Sequence, residues 1–300
     1  MDKSDFLVNN GPFIRFPLVD FIASCREENM SEIDLTLQAP HVYVDSDGYW
    51  LPEILKERKR NQISIHCVTP LPYRYTICAG EGTIQYEKSL AYYKQCILLA
   101  QEIGAVYLCI TGSGACYDYE KSALMDNAEN MLIQLAEFAG VRGITLLLGS
   151  VLGEECEVNA STPVLVKLSE ISDMLRRVRS SYLKAYLDTE VISLCGETIS
   201  QWFNELGEQI CLIRLTDGNY NGYRLWGRGC LPCDRFLAEI WNNNYRGKFS
   251  LQIPGERYME DPVSANKENI SYLMSAVAGI MGEKCVTPAA KAKETRHGNN

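Results

Sequence analysis

Eight short apolar runs alternate along this chain with stretches of helical period, and that rhythm limits its possible folds more than any other feature. The runs are FLVNN from Phe6, EIDLTL from Glu32, QISIHCV from Gln62 and AVYLCIT from Ala105, then ITLLL from Ile144, LKAYLDT from Leu183, CLIRLTD from Cys211 and FSLQI from Phe249. Most are rich in Ile, Leu and Val and are followed by Gly, Asp, Asn or Pro, as parallel strands buried on both faces should be. ITLLL fits helix or strand by periodicity alone; its shortness and the preceding Gly143 favour a strand. Between the runs, Leu90, Tyr93, Ile97 and Ala100 share one face of a helix expected to begin near Ser89. Ala128, Met131, Leu135 and Phe138 share a face of the next, with Gly140 as its C′ residue. Thr162-Pro163 reads as N-cap and first helical position for the segment carrying Leu165, Leu168 and Leu175.

Eight strand–helix pairs in about 280 residues have the size of a (β/α)8 TIM barrel, an α/β fold with an eight-stranded parallel sheet. A doubly wound open sheet is the alternative, but the GxGxxG turn after the first strand is missing. One barrel is expected over residues 1–283. Residues 284–300 have no apolar period and read as a flexible tail.

The net charge of −9, with no basic block before the tail, opposes nucleic acid or an anionic membrane as partner, because both need clustered Lys and Arg. The start, MDKSDFLVNN, has no long apolar core, and nowhere do roughly 18 apolar residues run together. A cytoplasmic location is the simplest expectation. The 12 cysteines agree with it: Cys67, Cys109 and Cys211 fall in strands and Cys25 and Cys96 in helices, where free thiols act as small hydrophobes. Cys230 and Cys233 form the sole CxxC, without the second pair that zinc needs.

In such a barrel the active site lies at the C-terminal ends of the strands. Position therefore selects His41, Thr69, Thr111, Gly149, Asp188, Arg214, Asp217 and Gln252. Any of them can serve merely to tie a loop.

At these ends the chain resembles the xylose isomerase-like TIM barrels, the sugar phosphate isomerase/epimerase superfamily, and most of all its ketose 3-epimerase and fructoselysine 3-epimerase branch. APHVYVD at Ala39–Asp45 resembles the turn after the branch's second strand, and TPLPYRYTIC at Thr69–Cys78 its "TPE…YP.N" segment. LKAYLDT, LIRLTD, WGRG at Trp226–Gly229, SLQI and Asp261-Pro262 follow in the order and spacing of the branch. The resemblance implies a divalent metal such as Mn²⁺ held by Glu, Asp, His and Glu, with the two glutamates moving protons through an enediolate. At those four places stand Gly149, Asp188, Arg214 and Gln252. Glycine offers no ligand, a guanidinium carries no lone pair for a metal, and an amide is no base. No metal or other cofactor is therefore expected.

Asp188 and Glu155, which stands where the family has a substrate-contacting Glu, are the catalytic candidates. Glu190, Asp217 and His41 are further groups able to move a proton. His41, Arg214, Asp217, Gln252, Tyr223, Arg228 and Trp226 are the substrate-binding candidates, the two aromatics by stacking on a sugar ring. Arg214 is expected to bridge Asp188 and a ligand in the metal's stead, favouring an anionic sugar; a salt bridge closing a vacated site is the plainer reading. The expected function is that of an isomerase- or epimerase-family protein acting on or binding a small sugar at this face. A non-catalytic sugar- or metabolite-binding partner subunit is the alternative, and a homodimer is what the family implies for assembly. An endonuclease on the same barrel is excluded by a histidine count of 3 and the acidic charge.

Overall fold

The computed structural model describes residues 1–71, 75–153, 162–219, 222–253 and 257–283. Eight strands, β1 (Phe6–Asn9), β2 (Glu32–Leu37), β3 (Ser64–Pro70), β4 (Tyr107–Thr111), β5 (Thr145–Gly149), β6 (Leu183–Asp188), β7 (Ile210–Leu215) and β8 (Lys248–Leu251), close into a barrel. Every neighbouring pair is parallel, and β1 lies between β2 and β8. The expected (β/α)8 architecture is the one found. Each of the eight apolar runs supplies one barrel strand.

Side chains alternate along each strand between the helices outside and the lumen inside. The outward set joins the helices in a large apolar core that includes Phe6, Val8, Leu35, Val68, Ile110, Leu148 and Ile213, each at most 2% exposed. The inward set forms a much smaller column of Leu7, Cys67, Cys109, Leu147, Tyr186 and Leu212. Each fully buried Leu or Phe contributes about 1.5–3 kcal/mol, so the outer layer carries most of the stability. The lumen above the small column is left to polar residues. Two hairpins decorate this upper end, Tyr43–Asp45 with Gly48–Trp50 after β2 and Asp217–Asn219 with Gly222–Arg224 after β7.

Three helix boundaries differ from expectation. The helix expected near Ser89 spans Ile84–Ile103, because the Thr83 side chain accepts from the Tyr86 amide and caps it a turn earlier. Gly140 is the last residue of Lys121–Gly140 rather than a left-handed C′ residue. It is glycine for close approach: a Cβ there would meet the Tyr182 ring at 2.4 Å. The Thr162-Pro163 signal starts no helix. Leu165 adopts φ 59°, the helix spans Leu168–Val178 behind Lys167, and the Thr162 hydroxyl donates to the Gly112 carbonyl at 2.8 Å.

The last helix spans Pro262–Glu283, and the expected tail lies outside the described residues. No described helix is long and apolar enough to cross a membrane. Cys25, Cys67, Cys96 and Cys109 are buried, as their positions in strands and helices imply, and form no disulfide among the described residues.

Candidate functional site

The upper lumen takes its floor from the ends of β5 to β8. β6 and β7 pair with Asp188 opposite Arg214, and β7 and β8 with Arg214 opposite Ser250. The two-residue alternation that buries Leu147 and Leu212 in the lumen also turns Gly149 and Arg214 inward, two residues farther along, and Gln252 follows two residues beyond Ser250, the partner of Arg214 on β8. β5 pairs with β6 through Leu148 and Ala185, which brings Tyr186 beside Gly149. A Cβ on Gly149 would lie 2.0 Å from Cζ of Tyr186. The aromatic ring thus fills the volume of the side chain that residue 149 lacks.

Arg214 lies on that ring, its guanidinium carbon 4.3 Å from the ring centre, a cation–π arrangement. Nη2 donates to Thr69 Oγ1 at 2.7 Å, and Thr69 Oγ1 donates in turn to Asp34 Oδ1 at 2.8 Å. Asp34, wholly buried on β2, also accepts from Ser250 Oγ at 2.7 Å and Gln252 Nε2 at 2.8 Å. One hydroxyl thus links the guanidinium to a carboxylate that three donors hold. Nε of Arg214 is buried with no hydrogen-bond partner among the described residues.

Asp188 is 5% exposed and serves as a helix cap. Its Oδ1 accepts from Thr216 Oγ1 at 2.6 Å, the Glu190 amide at 3.0 Å and the Val191 amide at 3.2 Å. Burial raises its pKa; the Thr216 bond and Arg214 oppose that rise. The expected Asp188–Arg214 bond is not formed, because Arg214 reaches across the lumen to β3 instead. Two residues on, Glu190 is 2% exposed, and its Oε2 has no hydrogen-bond partner among the described residues. Burial, then the Asp188 and Asp217 charges, push this carboxyl up to about 8. The Tyr223 phenol stands beside both acids; burial first, then Asp188 and Glu190, hold it well above the ordinary tyrosine range.

The structure brings Asp188, Arg214 and Gln252 of the expected set together at the strand ends, with Tyr223 and Glu190 near Asp188. The others are engaged elsewhere. His41 is 3% exposed, with Nδ1 3.0 Å from Asn10 Nδ2 and Nε2 2.8 Å from the Phe16 carbonyl oxygen. Neutral imidazole satisfies both: Nε2–H donates and Nδ1 accepts. Desolvation lowers its pKa and keeps it neutral. Asp217 accepts from the amides of Gly218, Gly229 and Leu231 at 2.7, 2.7 and 3.1 Å and so anchors the loop of residues 227–231. Trp226 is 1% exposed within the outer core rather than open to a sugar. Arg228 turns outward to an ion pair with Glu268 on the last helix. Glu155 lies outside the described residues.

Asp34 and Tyr186 were not among the expected site residues. Asp34 had a signal, as a charge flanked by Ile33 and Leu35 within a buried strand. Tyr186 had one too, two residues before Asp188 and therefore on the same face.

Comparison with known proteins settles the family. A family model described as "Xylose isomerase-like TIM barrel" matches residues 23–276. The chain belongs to that family. Fructoselysine 3-epimerase of Shigella flexneri is 22% identical over 253 residues, covering 83% of this chain and 89% of the relative. The same enzyme of Escherichia coli O157:H7 gives the same figures. Among solved structures, an L-ribulose 3-epimerase superposes with a TM-score of 0.73 at 13% identity, covering 98% of this chain and 99% of that one. A 3-keto-D-glucoside 4-epimerase from E. coli superposes with a TM-score of 0.71 at 10% identity, covering 90% and 99%. At such identities the structures speak for the fold. The sequence relatives carry the likeness to sugar epimerases.

Proposed function

We propose that this xylose isomerase-like barrel binds a small sugar at its C-terminal mouth and moves a proton on it without a divalent metal. The observation that carries the proposal is the proximity of two buried carboxyls, Asp188 and Glu190, with Tyr223 beside both. Two neighbouring buried carboxyls cannot both ionise readily, so one keeps a proton near neutral pH. That supplies a base to take the proton beside a carbonyl and an acid to return one to the enediolate; return on the opposite face is what inverts the centre. Tyr223, held protonated, is positioned to donate to a sugar hydroxyl. Fructoselysine, ketoses and a keto-glucoside are the substrates in the names of the relatives, which supports a sugar with a carbonyl group.

The residues at the family's four metal positions do not fit a dication. Tyr186 fills the first seat, Oδ1 of Asp188 already takes three donors, Arg214 is itself a cation, and Gln252 turns its amide nitrogen on Asp34. Hard ions need several anionic or neutral oxygen and imidazole ligands. No step is therefore assigned to a metal. Asp34 answers the charge of Arg214 through Thr69, which removes the reason to expect an anionic sugar.

The test is incubation of the full chain with D-fructose, D-tagatose and L-ribulose in D₂O, with thermal shift run alongside. The expected result is stabilisation by one ketose and solvent deuterium beside its carbonyl, both lost in Asp188→Asn. Stabilisation without exchange would make the protein a binder, and neither response would end the sugar reading.

A further inference from the structure

The family's cation seat is not simply vacated; it is rebuilt from five side chains. We propose that the guanidinium of Arg214 is a permanent internal cation in the place of the family's metal, and that its unpartnered Nε–H meets an oxygen of an uncharged sugar. The second half rests on the proposed sugar site, whereas the first stands without it.

Arg214 is 8% exposed, which for a guanidinium is costly unless contacts on several sides fix it. Those contacts are present. Tyr186 lies against one face at 4.3 Å, Thr69 takes Nη2 at 2.7 Å, and Asp34 holds Thr69 at 2.8 Å. Asp34 is held by Ser250 and Gln252 on its other oxygen. The residue standing where the final metal-binding Glu would be thus serves the counter-charge of Arg214. Gly149 completes the arrangement, because only glycine leaves room for the Tyr186 ring. All three altered positions of the four therefore support one buried positive charge, which three unrelated losses would not do.

Nε of Arg214 remains buried without an acceptor among the described residues. An unpaired buried N–H is a standing penalty that a ligand oxygen removes. A carbonyl or hydroxyl oxygen suits it better than an anion, since Asp34 already balances the charge and Asp188 flanks the site. A guanidinium stays charged at any physiological pH and polarises such an oxygen as a bound cation would.

The full-length protein is dialysed against EDTA, then against Mn²⁺, and analysed for manganese. Thermal shift follows with D-fructose, D-tagatose and L-ribulose, and with D-glucuronate as the anionic arm, each in EDTA and in Mn²⁺. The expected results are manganese far below one ion per chain and a ketose-induced shift equal in both buffers. Arg214→Lys keeps the charge but lacks Nε–H, and should weaken that ketose's Kd about ten- to a hundredfold. Should that variant not fold, the wild-type Nε–H resonance of Arg214 decides, by moving when the ketose is added. One manganese per chain would overturn the internal cation. Undiminished ketose affinity in Arg214→Lys, an unmoved Nε–H resonance, or a stronger response to glucuronate would overturn the donor role. If no ketose binds, the sugar reading fails, while the manganese result still decides the first half.

Discussion

The ring of Tyr186 stands where a side chain at position 149 would have to go, 2.0 Å from the place of its Cβ. One aromatic residue on β6 thereby excludes any ligand from the neighbouring end of β5. The relationship is steric, and stability measurements can test it.

Gly149→Ala should destabilise the chain by about 1–3 kcal/mol, since an added methyl in a filled core forces neighbours off their rotamers. Tyr186→Ala should cost about 3–5 kcal/mol as a cavity. The double variant should cost clearly less than the sum, because each change relieves the other. Urea denaturation of all four proteins gives the answer, and strict additivity would show that the two positions do not share space.

Asp34→Ala should cost about 3–5 kcal/mol, because it leaves a guanidinium buried without its counter-charge. Arg214→Met in the same chain should recover a good part of that loss, since the charge and its partner then leave together. A double variant no better than Asp34→Ala alone, in the same denaturation assay, would separate the two groups energetically.

The Glu190 carboxyl keeps its proton to about pH 8 in the folded chain, against 4.5 ordinarily, chiefly through burial and then through Asp188 and Asp217. Between those values the folded state binds one more proton than the unfolded state. Stability contributed by this group therefore falls as pH rises through the window and levels off above it. Glu190→Gln should abolish that slope. Its stability relative to wild type should rise by on the order of 3 kcal/mol between about pH 5 and pH 9. A difference that does not change with pH would contradict the buried, protonated carboxyl.

Arg228→Ala should leave stability unchanged within the error of urea denaturation, because its ion pair with Glu268 is exposed to solvent. Ketose-induced thermal shifts should be the same in this variant as in wild type. A lost response would bring Arg228 back to the mouth.

Much of this fold is written in local pattern, because a strand buried on both faces must be apolar along its length, as LLL in β5 and LIRL in β7 are. Helix ends were harder to read. Thr162-Pro163 has the chemistry of a cap, yet its hydroxyl is drawn to the Gly112 carbonyl across the loop, a contact between residues 50 apart in the chain. The candidate site divides in the same way. Asp188, Arg214 and Gln252 follow from counting to strand ends. That Trp226 is packed inward and Arg228 turned outward depends on Asn269 and Glu268 of a helix some 40 residues later. Asp34 acquires its meaning only when β2 closes against β1 and the strands beyond, bringing Ser250 and Gln252 to it from 216 and 218 residues away. No periodicity in the chain carries that contact.

Hydrogen exchange at the carbon beside a ketose carbonyl, followed by mass spectrometry in D₂O with excess EDTA, tests the central claim most directly. Metal-free proton transfer at Asp188 and Glu190 predicts a gain of one deuterium per turnover that added Mn²⁺ leaves unchanged and Glu190→Gln abolishes. Exchange that appears only when Mn²⁺ is supplied would contradict it.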